Sequence, residues 1–440
     1  MKTVNPVVTE VIGLQYGDEG KSNISCLESS DAKLLIRATG GSNSSHTIEC
    51  ECSMYNFRII PSGIVNKKTV CILGPGMAID PKMLLNEIWL LKTAGIAVSR
   101  KNLIISDRAR VILPYHKKLD AYYESLKQNT LTGLLDGSES VYASKAKHVG
   151  LRMADILSGN WDKIKEELET LPQDFIDQYS QWYSTERERK ISIQVLTEEM
   201  SNLCQDYRLQ LHSYIRDVQE YINCIIYSGC KIVVEGASSY GLDIDLGEYP
   251  YCLSFPSSSS GLIAQAGIGP LNVKEIIGVA KAYNTKPTNG QFITEVTGQT
   301  EKVFKDFTAE YDSAIRSPKR YGWLDLVQLK NAVRENSVTK LAVTHIDTIG
   351  AIGVALGCIK VCVGYKVNDH NLYYMPINCE NIKPIYQYLD PWVMPQGGCH
   401  SFEQLPKGAK DFIHLIETMT GVEVVIIGTG PKKQDLIIRR

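Results

Sequence analysis

The sequence has no run of about 18 apolar residues, the length that a membrane-spanning helix needs. Its N-terminal stretch also lacks a long apolar segment, so we expect no secretory signal peptide. Charge of one sign is not in excess, because 47 basic and 49 acidic side chains give a net charge of -2. A near-neutral chain is not expected to bind nucleic acid non-specifically or to anchor at a membrane. We therefore expect a cytoplasmic protein without a nucleic-acid or membrane partner.

The sequence also lacks any Cys-x-x-Cys pair, although it contains 12 cysteines. The two nearest in sequence are Cys50 and Cys52, and the others are scattered. This spacing does not fit the common zinc patterns, and it predicts reduced, mostly buried thiols rather than disulfides.

The chain has 440 residues, of which 44% are hydrophobic and 22% are charged, which is typical of a folded globular protein. This length suits one large α/β domain or roughly two to three ordinary ones. Short apolar runs rich in β-branched residues are predicted to be strands, at residues 7–14, 33–36, 69–73, 103–105, 231–234, 341–343, 359–363 and 422–427. Helical patterns lie between them, for example at 81–94 and 412–420. This alternation predicts an α/β fold with a large, central, mostly parallel sheet and flanking helices.

The segment from about 153 to 230 differs, because it is charged, poor in glycine and periodic in the manner of helices. We predict a helical subdomain inserted into a single domain that spans residues 1–440.

A glycine-containing turn, Gly17-Asp18-Glu19-Gly20-Lys21, follows the first predicted strand. Glycines allow backbone N–H groups to approach a phosphate, and a lysine adds a positive charge. The turn does not match the GxxxxGK[ST] pattern, and short glycine turns after strands are common. The alternative role for Asp18 is that of a turn residue that caps the next helix. The turn by itself therefore leaves its role open.

The wider string IGLQYGDEGKSN resembles the signature GGQWGDEGKGK of adenylosuccinate synthetases. Further segments resemble that family in the same order: GGSNSSHT at 40–47, IPSGI at 60–64, GPGMAIDP at 74–81, ISDRARVILPYHKKLD at 105–120, VEGASSYGLDIDLGEYPY at 234–251, KAYNTKPTNGQFITE at 281–295, YGWLDL at 321–326, THID at 344–347 and GTGPKKQD at 428–435. Each segment is short, but together they make the resemblance specific over most of the chain. It is weakest between about residues 128 and 230.

The resemblance implies a ligase of purine nucleotide biosynthesis. In the family, a base removes the N1 proton of IMP, O6 attacks the γ-phosphate of GTP, and the amine of L-aspartate displaces the phosphate. The matching base is Asp18, since a carboxylate can accept a proton and coordinate Mg²⁺. His46 matches a general acid near the transferred phosphoryl group, and Lys21 matches a lysine that contacts phosphate. The family also implies a P-loop-like GTP-binding fold and a homodimer whose sites are completed across the interface.

The resemblance assigns further residues to each ligand. For GTP it implies Gly17, Glu19, Gly20, Lys21, Ser22, Asn23, Thr47, Lys319, His345, Asp347, Gly428, Thr429 and Gly430. For the purine-type acceptor and the amine donor it implies Asp18, Asn43, Ser44, Ser45, His46, Ser238, Ser313, Arg316 and Arg320. For Mg²⁺ it implies Asp18 and the carbonyl of Ser45. The aspartate that reads guanine is present as Asp347, whereas His345 replaces the lysine that packs on the base.

The chain departs from the family where the 5′-phosphate of IMP is bound. Ser238 replaces a glutamine, Leu253 replaces a threonine, and residues 131–142 have no good counterpart to the family loop. An arginine that reaches over from the partner subunit aligns near His148. Lys145, Lys147 and His148 are candidates to replace the missing phosphate donors.

It departs again in the loop that binds the aspartate substrate. Ser317 replaces an arginine, and Lys319 replaces another, although lysine is not an equivalent fork for a carboxylate. Arg316 and Arg320 are candidates to supply that function from shifted positions.

Three hypotheses follow from these matches and departures. The first is an adenylosuccinate synthetase with substituted contacts. The second is a related GTP-dependent ligase that acts on a different nucleoside, nucleotide or amine. The third is a non-catalytic nucleotide-binding paralogue, which the presence of Asp18, Lys21, His46 and Asp347 disfavours.

Overall fold

The computed structural model describes residues 5–42, 46–50, 53–126, 135–183, 192–287, 289–308, 319–368, 370–376 and 381–439. The strands are β1 (Val8–Gly13), β2 (Leu34–Arg37), β3 (His46–Cys50), β4 (Ser53–Phe57), β5 (Val70–Leu73), β6 (Ala78–Ile79), β7 (Leu103–Ser106), β8 (Arg110–Val111), β9 (Ile215–Arg216), β10 (Ile232–Ser239), β11 (Val273–Lys281), β12 (Tyr283–Lys286), β13 (Arg320–Asp325), β14 (Lys340–Thr344), β15 (Ile359–Val367), β16 (His370–Leu372), β17 (Lys383–Leu389), β18 (Val424–Gly428) and β19 (Leu436–Ile438). The helices are α1 (Lys21–Glu28), α2 (Pro81–Thr93), α3 (Pro114–Leu126), α4 (Ser138–Ala146), α5 (Met153–Ser158), α6 (Asp162–Glu169), α7 (Gln173–Tyr183), α8 (Ile193–Leu211), α9 (Gln219–Tyr227), α10 (Ser259–Ala266), α11 (Gly298–Thr308), α12 (Leu326–Glu335), α13 (Ile346–Leu356) and α14 (Lys407–Thr420).

A 10-stranded sheet forms the centre, in the order β19-β18-β14-β11-β1-β10-β2-β5-β7-β9. Neighbouring strands are parallel from β18 to β9, and only β19 runs antiparallel to its neighbour. Parallel neighbours need crossover connections, and the helices supply most of them. The prediction of an α/β fold with a mostly parallel central sheet is therefore confirmed.

The central sheet is buried on both faces. All six residues of β1 are buried, and they alternate between two apolar cores. Val8 and Ile12 pack into the core on one face, whereas Val11 packs into the core on the other. Continuous apolar strands of this kind are expected where helices cover both sides of a parallel sheet.

The segment from 153 to 230 is mostly helical, as its periodicity predicted, and runs from α5 to α9. It also contains β9, which pairs with β7 and extends the central sheet. The buried carboxylate of Glu167 in α6 accepts a hydrogen bond from Tyr115 Oη in α3 at 2.5 Å, and His116 Nε2 lies 3.1 Å away. The segment therefore packs directly onto the main sheet and its helices.

A smaller sheet has the order β12-β13-β15-β16, with β17 also paired to β15. The strand predicted at 359–363 lies in this sheet and not in the central one. Its apolar sequence predicted a strand but did not specify which strands would be its neighbours. The first residue of β13, Arg320, follows Lys319, so this sheet positions both residues. Among the described helices, none is long and apolar enough to cross a membrane.

Candidate active site

The turn after β1 has a backbone that favours glycine. Gly17 has φ 107° and Gly20 has φ 81°, both in the left-handed region. Asp18 also has a positive φ of 59°, and its side chain is 48% exposed. Gly20 precedes α1, so the first N–H groups of that helix lie at the turn, where they can bind an anion.

Glu19 has a fully buried side chain that holds the turn in place through four hydrogen bonds. Its Oε1 accepts the N–H groups of Gln15 at 3.1 Å and Gly17 at 3.0 Å. Its Oε2 accepts Lys21 Nζ at 2.6 Å and Ser239 Oγ at 2.7 Å. Burial disfavours the charged carboxylate, but Lys21 and these hydrogen bonds outweigh burial and hold the pKa of Glu19 below its ordinary value.

Lys21 is the first residue of α1, and its Nζ also donates to Ser239 Oγ at the end of β10 at 2.9 Å. Only glycine fits at Gly13 in β1 beside this cluster. A Cβ there would overlap Ser239 Oγ and lie 2.6 Å from Glu19 Oε2 and 2.7 Å from Lys21 Nζ. The strand end is therefore closely packed against the lysine.

Gln15 joins the turn to the strands beside it. Its Nε2 donates to the carbonyl of Lys281 at 3.0 Å and to Asn284 Oδ1, while Lys281 N–H donates to its Oε1 at 2.8 Å. The side chain is buried, so these bonds fix the start of the turn against the end of β11 and the start of β12.

Thr344, at the end of β14, connects the turn to the predicted guanine site. Its Oγ1 donates to the carbonyl of Glu19 at 2.9 Å, and His345 Nδ1 lies 3.0 Å from the same hydroxyl. Since the hydroxyl proton is used on Glu19, the contact with His345 is satisfied when Nδ1 carries a proton. The His345 ring lies edge-on to Tyr283, at 5.8 Å between centroids.

Asp347 is in the first turn of α13, within reach of the charge of Asp435 in the segment after β18. Burial raises the pKa of Asp347, and the charge of Asp435 raises it further. Asp435 closes the loop that begins at Gly428, since its carbonyl accepts the N–H and the Oγ1 of Thr429 at 2.9 Å and 2.8 Å. The structure thus brings His345, Asp347 and the segment 428–430 to the same edge of the central sheet.

Asp18 contacts the other side of the site through Lys319. The distance from Asp18 Oδ2 to Lys319 Nζ is 2.5 Å, and the lysine side chain is only 5% exposed. Within the part of the chain that the structure describes, no three His, Cys, Asp or Glu side chains converge as a metal site.

Several predicted residues cannot be placed. Asn43, Ser44, Ser45, Ser313 and Arg316 lie outside the described residues. His46 and Thr47 belong to β3, where they pair with Phe57 and Asn56, and only their backbone is described.

The positions that differ from the family at the acceptor site are described in part. Ser238 is buried at the end of β10. Leu253 packs against an apolar cluster that includes Ala237 and Phe255, so its side chain has a packing role here. Asp136 accepts a hydrogen bond from Ser42 Oγ at 3.0 Å.

Three cations lie near one another beside this region. Lys145 Nζ donates to Gln265 Oε1 at 3.0 Å, and Arg110 donates to the carbonyl of Val149 at 2.9 Å. Burial, followed by the charges of Arg110 and Arg152, lowers the pKa of Lys145. Burial, followed by the charge of Arg152, also lowers the pKa of Arg110. The neighbouring arginines therefore disfavour the charged form of Lys145, and a bound anion would relieve this repulsion.

Arg320 is held by a bidentate ion pair. Its Nε and Nη2 donate to Glu295 at 2.7 Å and 2.6 Å, and its Nη1 donates to the carbonyl of Gly290 at 2.8 Å. The predicted role of Arg320 toward the amine donor would require it to share or exchange these partners.

Three residues that organise the site were not predicted, namely Gln15, Ser239 and Thr344. Each lies inside a segment that resembles the family, and this resemblance could have identified them as site residues. Their contacts come from different strands of the sheet, so their roles depend on the strand order.

The comparisons with known proteins agree with this geometry. Residues 10–437 match the family model described as adenylosuccinate synthetase. The adenylosuccinate synthetase of Caldanaerobacter subterraneus subsp. tengcongensis is 35% identical over 98% of this chain and 99% of its own length. That of Acetivibrio thermocellus is 35% identical over 97% of this chain and 98% of its own.

Two solved structures are also similar. The fully ligated adenylosuccinate synthetase from Plasmodium falciparum superposes with a TM-score of 0.87 at 27% identity, covering 99% of this chain and 100% of that chain. The succinoaminodeoxyadenylate synthetase of cyanophage S-2L gives a TM-score of 0.61 at 18% identity, covering 99% and 95%. The second similarity shows the shared fold alone.

Proposed function

Because this chain belongs to the adenylosuccinate synthetase family, we propose that it joins IMP to L-aspartate with GTP, forming adenylosuccinate, GDP and phosphate. The observation that carries the proposal is the turn after β1. There the half-exposed Asp18 precedes Lys21 in the same turn, and Lys21 is fixed by Glu19 and Ser239 at the start of α1. A base and a phosphate-binding lysine are thus adjacent at a helix N-terminus.

In this mechanism Asp18 removes the N1 proton of IMP, which places negative charge on O6. That oxygen attacks the γ-phosphate of GTP, and GDP leaves. The amine of aspartate then displaces phosphate from C6. Asp18 is suited to the first step because it is half-exposed, whereas Glu19 beside it is buried and held by four donors.

The N-terminal N–H groups of α1 and the ammonium of Lys21 stabilise the charge on the phosphates. His46 acts as the general acid near the transferred group. Asp347 accepts hydrogen bonds from guanine. Partial burial raises its pKa, so hydrogen-bond donors on the base would stabilise its charged form.

Mg²⁺ would be held by Asp18 together with the carbonyl of Ser45 and the phosphates of GTP. When bound, it supplies positive charge that neutralises the phosphate oxygens during transfer.

The cluster of Arg110, Lys145 and Arg152 is our candidate for the 5′-phosphate of IMP. Partial burial, followed by the charges of Arg110 and Arg152, lowers the pKa of Lys145, and a group of neighbouring cations of this kind gains free energy when a dianion joins it. The cluster acts within a homodimer, in which one protomer completes the acceptor site of its partner.

The proposal is tested by GTP turnover with purified protein, Mg²⁺ and a panel of IMP, dIMP, GMP, dGMP and inosine, each with and without aspartate. We expect adenylosuccinate from IMP and aspartate, and loss of turnover in Asp18→Ala. Asp31→Ala is the matched control, because Asp31 also pairs with a lysine (Lys231, 2.9 Å) but is 73% exposed. GTP consumption only with another acceptor, or full activity in Asp18→Ala, would contradict the proposal.

A further inference from the structure

Lys319 forms an ion pair with Asp18, a contact that phosphate binding by Lys319 alone does not require. Lys319 Nζ lies 2.5 Å from Asp18 Oδ2, on the exposed carboxylate of the turn. The lysine side chain is 5% exposed and the aspartate side chain is 48% exposed. The ammonium therefore reaches out of a buried position to cover the carboxylate assigned to proton transfer and to the metal.

The backbone on the C-terminal side of Lys319 is anchored. Arg320 forms its bidentate ion pair with Glu295 and bonds the carbonyl of Gly290, and it pairs with Lys286 in the smaller sheet. Movement of the ammonium thus depends on the rotatable bonds of the Lys319 side chain. An ammonium on a flexible four-carbon stem can leave one anion for another nearby without moving the strand.

We propose that Lys319 is the internal counter-ion of Asp18 in the nucleotide-free protein, and that it excludes a divalent cation from that carboxylate until GTP arrives. The ammonium then leaves Asp18 and pairs with nucleotide phosphate. This inference rests on the proposed function, in which Asp18 is a metal ligand.

The positive charge of Lys319 opposes the binding of a metal ion at Asp18. An ammonium and a divalent cation that share one carboxylate repel each other, so each weakens the binding of the other. Removing the charge of Lys319 should therefore strengthen binding of the metal alone and weaken binding of the nucleotide. A purely structural role for Lys319 would weaken both.

The test measures Mn²⁺ bound to nucleotide-free protein by electron paramagnetic resonance, and GTP affinity by calorimetry. We expect Lys319→Met to bind Mn²⁺ alone about 1.5- to fivefold more tightly than wild type, the range of a partly exposed ion pair. GTP affinity should fall in the same variant. Lys319→Arg, which keeps the charge, should bind Mn²⁺ like wild type.

Lys340→Met is the matched control, because Lys340 forms a 2.5 Å pair with Glu275 at the start of β14, away from Thr344 at its end. It should change neither affinity. Unchanged or weaker Mn²⁺ binding in Lys319→Met would overturn the inference.

Asp18→Asn and the double variant separate this inference from the proposed function. If both are correct, Asp18→Asn weakens Mn²⁺ binding and the double variant loses the gain of Lys319→Met. If the gain persists in the double variant, Asp18 is not the metal ligand and both fail. If Asp18→Asn weakens Mn²⁺ binding while Lys319→Met matches wild type, only the inference fails.

Discussion

Glu19 shows how one buried side chain supports several functional groups. The resemblance places Glu19 among the residues that bind GTP, and that role stays a prediction. In the structure its carboxylate faces inward and accepts four hydrogen bonds, including one from Lys21. Removing the Glu19 carboxylate should therefore lower the free energy of unfolding as well as the affinity for the nucleotide.

We predict that Glu19→Gln lowers the free energy of unfolding by about 2–4 kcal/mol, because it leaves Lys21 without its buried partner. Urea denaturation measures this loss, and GTP affinity should fall with it. Glu28→Gln in α1 is the control. Its partner Lys231 lies 2.8 Å away, but this pair is partly exposed, so the loss should stay under about 1 kcal/mol. Equal losses in the two variants would contradict the prediction.

Glu10 lies fully buried in the middle of β1 and receives a hydrogen bond from Ser259 Oγ at 2.5 Å. Burial raises the pKa of Glu10 from 4.5 to about 7 in the folded protein. Its proton is thus held more tightly in the folded chain than in the unfolded one. Stability from this group is present below pH 4.5 and is lost as the pH rises to about 7.

Glu10→Gln should therefore raise the free energy of unfolding at pH 8 by roughly 1–3 kcal/mol relative to the parent, with a smaller effect at pH 5. Urea denaturation of both proteins at the two pH values isolates Glu10 from other buried acids, since those are common to both. A difference that does not grow with pH would show that the folded-state pKa is not raised.

At the scale of elements, the end of β1 is shaped by close approach. Gly13→Ala would insert a Cβ among Ser239, Glu19 and Lys21. We predict that the displaced Lys21 ammonium lowers kcat by about 100-fold, the effect of a misplacement near 1 Å. Steady-state kinetics measures it. Gly269→Ala, whose Cβ would meet only Asn272 at 3.4 Å, is the control and should leave kcat unchanged.

Apolar runs in the sequence identified strands of the central sheet well, because buried parallel strands are continuous in composition. The sequence did not predict which strands pair with one another. The run at 359–363 became part of β15 in the smaller sheet, and the two-residue strand β9 was hidden inside a helical segment. These outcomes depend on contacts between residues far apart in sequence, and a local pattern does not encode them.

At the scale of the whole molecule, the helices from α5 to α8 share a core with the central sheet. Ile164 and Leu196 belong to the same apolar cluster as Leu35 and Ile105 of the sheet. Because the shared core leaves no separate interior for a subdomain, we predict that the chain unfolds as one cooperative unit.

Calorimetry should then show a single transition. Ile164→Ala, which empties a fully buried position, should move that transition as a whole, in keeping with a loss of about 2–5 kcal/mol. A second transition, or a protease-resistant fragment that lacks residues 153–230, would show an independent subdomain.

The same scale explains which parts of the site could be predicted. Asp18, Lys21 and Asp347 stand in short strings whose meaning the family resemblance supplies. Ser239 and Thr344 gain their roles because β10, β1, β11 and β14 are neighbours whose ends meet at one edge of the sheet. That adjacency requires the strand order, which the sequence pattern alone did not specify.

Thr344 carries one more consequence. A single hydroxyl is bonded to the carbonyl of Glu19 and lies against the ring of His345. In the proposed site, the base and the phosphates of a nucleotide are therefore coupled through the protein as well as through the nucleotide itself. We therefore expect a purine that fits poorly at His345 to lower the rate of phosphoryl transfer as well as the affinity, because it would displace the turn that is proposed to hold the phosphates.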